Sequence, residues 1–93
     1  MFGALAFCEA KVGKKDELVA AATDHARALR AEPGCLAAYV LAERGTQGQV
    51  SLSVFETEEA FRRAAQATLP VIQGHHLERL LAKPPEFRYF DVR

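Results

Sequence analysis

The chain carries no net charge: twelve lysines and arginines are matched by twelve aspartates and glutamates, and no block of one sign stands out. A nucleic-acid binder needs a basic stripe to displace counterions from phosphates, and an electrostatic membrane anchor needs a similar patch, so neither partner is expected. Long hydrophobic runs are missing too. Hydrophobic residues make up 49% of the chain, but charges cut every stretch short of the roughly 18 residues that span a bilayer. The opening MFGALAFCEAKVGKK has no basic segment ahead of its apolar run to make a secretory signal, and a cytoplasmic protein is the expectation. Cysteine is sparse: Cys8 and Cys35 are the only two. Neither belongs to a CxxC pair, and both lie in apolar segments, which favours reduced packing residues over the single disulfide they can form.

What remains is ninety-three residues, the length of one domain spanning residues 1–93, with no linker or repeat. Residues 2–11, FGALAFCEAK, hold no charge until Glu9 and read as a strand ended by Gly13. From Lys14 to Ala31 the period becomes helical, because Leu18, Ala22, His25 and Leu29 are spaced by four, three and four and share one face. Asp16 and Glu17 in its first turn and Arg27 and Arg30 in its last suit the helix dipole, and Glu32-Pro33-Gly34 ends it. CLAAYVLAE at 35–43 and VSLSVFE at 50–56 form a hairpin across a glycine-containing loop. Thr57 caps a helix with Phe61, Ala64 and Ala65 inward. Pro70 forces a kink or a fresh start near Thr68, with the second segment running to about Leu81. After KPP, EFRYFDV supplies a closing strand.

The order β-α-β-β-α-β predicts a ferredoxin-like α+β fold, a four-stranded antiparallel sheet with the helices on one face. The first two strands are apolar on both parities. Leu5 and Phe7 are matched by Ala4, Ala6 and Cys8, and Leu36, Ala38 and Val40 by Ala37, Tyr39 and Leu41. An antiparallel sheet with one face in water shows polar alternation instead, so a second copy of the chain, packed sheet against sheet, is expected to cover the face that the helices leave open.

KVGKKDELVAAA after the first strand, the turn RAEPGCLAAYVL, and VSLSVFETEEAFRRAA together resemble the antibiotic biosynthesis monooxygenase family over nearly the whole chain. These are architectural features with no catalytic signature among them. The resemblance implies a dimeric α+β barrel, each subunit keeping a pocket between its own sheet and helices. Members include cofactor-free oxygenases of polyphenols and quinols, haem-degrading oxygenases, and proteins with no assigned activity. The haem-degrading branch relies on Asn, Trp and His, whereas this chain has neither Trp nor Asn, with Phe7 near the place of the first-strand Asn. The implied activity is therefore oxygenation of a small aromatic or quinol with no metal or other cofactor; the alternative is a non-catalytic, small-molecule-binding or stress-related dimer on the same scaffold.

Cofactor-free oxygenation requires a dry pocket and one base or hydrogen-bond donor, and two histidines are candidates. Adjacent residues on a helix point about 100° apart, and metal-binding pairs sit at i and i+4, so the doublet His75-His76 does not make a metal site. Leu69, Ile72, His76 and Leu80 are spaced by three, four and four, which turns His76 inward and leaves His75 with Glu78 and Arg79 toward solvent. His76 and His25 are thus the candidate bases; the plainer reading of His76 is a core-edge histidine satisfied by a backbone carbonyl, and of His25, on the apolar face of the first helix, a partly buried packing residue. Tyr39, Phe55, Phe61 and Tyr89 are the aromatics expected to wall a substrate pocket, the plainer reading being core or dimer interface.

Overall fold

The computed structural model describes residues 1–93. Its elements are β1 (Phe2–Glu9), α1 (Lys15–Arg30), β2 (Cys35–Ala42), β3 (Gly48–Phe55), α2 (Glu58–Ala67), α3 (Leu69–His75), a 3₁₀ turn at Leu77–Arg79, and β4 (Glu86–Asp91). The strands form one antiparallel sheet in the order β2-β3-β1-β4, the ferredoxin-like arrangement that the alternation of elements predicts.

Local chemistry accounts for the boundaries. Leu18, Ala21, Ala22, Ala26 and Leu29 form the buried stripe of α1, as the four-three-four spacing requires. Thr57 caps α2 by accepting a hydrogen bond from the Ala60 amide at 3.1 Å. Thr68 separates α2 from α3, and Pro70 falls in the first turn of α3, where its missing N–H leaves no hydrogen bond unmade. The fresh start, rather than a kink, is the outcome. Gly34 has φ +83°, and a Cβ there would lie 2.8 Å from the Ala60 Cβ, so the turn into β2 needs glycine both for its left-handed backbone and for the close approach of α2.

The pleat assigns the two sheet faces. Across the register, Phe55 pairs Phe2, Ser53 pairs Ala4 and Ala38, and Ser51 pairs Ala6 and Val40; Tyr89 and Phe87 on β4 join the same rows. This is the helix-facing side, because Ala38 and Phe55 pack with Ala26, Leu29 and Ala64 in the principal core. A second cluster of Ala10, Leu18 and Leu80 closes the other end. There the Leu80 carbonyl accepts from Lys11 N and the Glu9 carbonyl from Ala82 N, both at 2.8 Å, pinning the segment after the 3₁₀ turn to the end of β1.

The opposite face carries Leu5, Phe7, Tyr39, Leu41, Val50, Leu52, Val54 and Phe90, and no helix covers it. Tyr39, Leu41 and Phe90 are exposed, and Arg88 lies over the Phe7 ring at 5.2 Å. No helix of the chain is long and apolar enough to cross a membrane.

Candidate active site

The helix-facing floor of the sheet is built from small side chains. Ala4, Ala6 and Ala38 cannot fill the space beneath α1, whose own inner face is largely alanine, and a cavity of about 360 Å³ results. That lies within the roughly 300–1,000 Å³ of small-molecule sites. Its walls are mostly apolar: Ala22, Ala26 and Leu29 come from α1, Phe61 and Ala65 from α2, and Leu69, Ile72 and Leu77 from the segment after Thr68. On edge strand β4, Phe87 and Tyr89 stand exposed on the cavity side and form an aromatic rim. Phe2, Phe61 and Tyr89 make an aromatic triangle there, with ring centroids 5.1, 5.8 and 5.9 Å apart.

His25 is the one histidine that lines this cavity. Its Nε2 lies 2.9 Å from the Oγ1 of buried Thr68, and Thr68 itself donates to the Ala64 carbonyl at 2.8 Å. The threonine proton is committed to its helix, a common habit of Thr, so the Thr68 oxygen accepts and His25 Nε2 carries the proton. In neutral imidazole the other nitrogen, Nδ1, then holds the lone pair. Burial holds the His25 pKa below its ordinary value, which keeps that lone pair free near neutral pH.

The second histidine is not where the helical spacing puts it. α3 stops at His75, and His76 caps it with a left-handed backbone, φ 49° and ψ 60°. This break in phase lets Leu77 and Leu80 turn inward through the 3₁₀ turn while the His76 side chain swings out, 71% exposed, near Glu78. His75, expected in solvent, is the half-buried member at 30% exposure, with its Nε2 3.0 Å from Asp24 Oδ2. The doublet thus ties α3 to α1 and contributes no side chain to the cavity. His25 and His76 do not converge.

The four aromatics also divide. Phe61 and Tyr89 wall the cavity. Phe55 is fully buried behind it, its ring edge-on to Phe61 at 5.7 Å, and serves as core. Tyr39 borders the cavity, but the pleat turns its ring to the open face beside Leu52, its register partner, where it is 58% exposed.

Sequence periodicity misses the polar floor. Gln49, Ser51 and Ser53 of β3 point under the helices and line the cavity, while Val50, Leu52 and Val54 face away. The Gln49 amide donates to Ser51 Oγ at 2.8 Å. Cys8, the register partner of Gln49, also lines the cavity, and burial raises its thiol pKa. The signal is present in the sequence as polar residues at every second position of the clearest strand, but that alternation alone does not say which side meets the helices.

The antibiotic biosynthesis monooxygenase family model matches residues 1–78. No curated protein matches the chain. Among solved structures, a candidate antibiotic biosynthesis monooxygenase from Nitrosomonas europaea superimposes with a TM-score of 0.88 at 14% identity, over 99% of this chain and 98% of that one. Rv0793 from Mycobacterium tuberculosis follows with a TM-score of 0.85 at 15% identity, over 99% and 94%. SnoaB, a cofactor-independent oxygenase from Streptomyces nogalater, gives 0.81 at 23% identity, over 99% and 92%. Likeness at these identities establishes the fold.

Proposed function

The chain belongs to the antibiotic biosynthesis monooxygenase family, and from that premise we propose that it is a cofactor-independent oxygenase of small aromatic quinols, working as a homodimer. One observation carries the reading: a mostly apolar cavity lined by a single histidine, whose Nε2 lies against the Thr68 hydroxyl that is already committed to the Ala64 carbonyl, an arrangement that leaves the lone pair on Nδ1. SnoaB, similar in fold, is described as a cofactor-independent oxygenase.

The chemistry asks for little more. His25 Nδ1 takes the proton of a ring hydroxyl, and the phenolate passes one electron to O2. Superoxide and ring radical combine into a carbon–oxygen bond, and the resulting hydroperoxide loses water. The balance is one quinol and one O2 giving one hydroxylated quinone and one water. Apolar walls keep solvent from the reactive anion, and holding the ring beside the base supplies orientation.

The dimer follows from the open face. A sheet side bearing Leu5, Phe7, Tyr39, Leu41, Leu52 and Phe90, with Tyr39, Leu41 and Phe90 exposed, is the kind of contiguous apolar surface that marks a contact site, and a second copy offers the same surface in return.

The test is oxygen uptake with a panel of hydroquinones, read alongside ligand-dependent melting temperature. Uptake above the uncatalysed rate, accompanied by a raised melting temperature, is expected. A raised melting temperature with no uptake overturns the oxygenase reading in favour of a non-catalytic binder.

A further inference from the structure

The inward row of β3 is unusual for a strand whose other side is Val50, Leu52 and Val54. Apolar residues ordinarily face the core and polar ones the solvent, yet here the polar set lies under the helices. Gln49 is 1% exposed and Ser53 is buried, a placement that costs stability unless their polar groups find partners. Gln49 uses one amide N–H on Ser51 Oγ. Because Ser51 accepts this bond, its own O–H proton is left to donate elsewhere, and the Gln49 carbonyl is left to accept. Ser53 repeats the hydroxyl one strand period further on, about 7 Å along. The neighbouring floor positions Ala4, Ala6 and Ala38 are small, with Cys8 beside Gln49 and Val40 beside Ser51, and all three polar side chains border the cavity.

We infer that Gln49, Ser51 and Ser53 are the specificity edge of the cavity and hydrogen-bond a second oxygen function on the ring whose first hydroxyl meets His25. The site then takes dioxygenated aromatics of the hydroquinone and naphthohydroquinone class and discriminates against monophenols and bare arenes. In the reaction the same hydroxyls donate to the ring oxygen on which charge develops as the phenolate forms. This inference rests on the cavity being the ligand site proposed above.

The test is anaerobic calorimetric titration of the intact protein with naphthohydroquinone, naphthol and naphthalene, so that binding is read without turnover. The native chain is expected to bind naphthohydroquinone at least about tenfold more tightly than naphthol, the value of one well-made hydrogen bond in a dry site. In the Ser51→Ala, Ser53→Ala double variant that ratio is expected to fall below about threefold with naphthalene affinity unchanged; alanine removes only the hydroxyls, and Ser51→Ala alone serves if the double variant does not fold. An unchanged ratio in either variant, no discrimination by the native chain, or no binding of any probe overturns the inference. Discrimination that depends on the serines, found together with an aerobic assay that shows no oxygen uptake, leaves this edge standing and removes the oxygenase. Uptake with an unchanged ratio does the reverse.

Discussion

At the scale of single residues, the proposed chemistry rests on which nitrogen of His25 carries the proton. Replacing the base with alanine is expected to lower kcat/KM by about 10²–10⁴-fold, the range for a lost general base, as read by oxygen uptake. Thr68→Val removes the acceptor that fixes the tautomer and is expected to cost several-fold in kcat with little change in KM, in keeping with one hydrogen bond of about 1 kcal/mol. Burial lowers the His25 pKa, so the rate is expected to rise with pH and to level off before neutrality. The same shift bears on folding. Below about pH 6.5 an unfolded histidine takes up a proton that folded His25 still refuses, so stability present above that pH is lost as pH falls beneath it. Melting temperature measured from pH 7.5 to 5.5 should decline, and His25→Gln should flatten the decline. His25 was legible because Leu18, Ala22 and Leu29 fix the helix face on which it lies. His76 was not, because its direction depends on a left-handed cap one residue past the end of α3, and a spacing rule assumes that the helix continues.

At the scale of elements, the spans follow from proline, glycine and period: the Glu32-Pro33-Gly34 turn, the hairpin, and the restart at Thr68 all stand where local chemistry requires them. Gly34 is the sharpest case. Gly34→Ala must accept both φ +83° and the contact with Ala60, and is expected to destabilise the fold by about 1–3 kcal/mol in urea unfolding. The facing of β3 was beyond reach of the pattern. Alternation normally assigns the apolar side to the core, but where the helices enclose a cavity against the sheet that assignment reverses, as Ser51 and Ser53 show. Phe55 and Tyr39 share the lesson. Aromatics on neighbouring strands look equivalent in sequence, whereas the pleat sends Phe55 into the core and Tyr39, the register partner of Leu52, to the open face.

At the scale of the molecule, the two-sided apolar sheet that strands β1 and β2 announce is present, and the proposed dimer follows from it. Light scattering is expected to give twice the 10.2 kDa chain mass at micromolar concentration, and Leu52→Lys, at the centre of the open face, is expected to shift the protein toward monomer and lower its melting temperature. The family model and the structural likeness define the scaffold, while the reaction depends on what the cavity holds. The direct test is oxygen uptake with naphthohydroquinone by the native protein, His25→Ala and His76→Ala, measured side by side. Native-like uptake by His76→Ala with a loss of about a hundredfold or more in His25→Ala is the predicted result. Uptake by His25→Ala equal to that of the native chain, or none above the uncatalysed rate in any of the three, contradicts it.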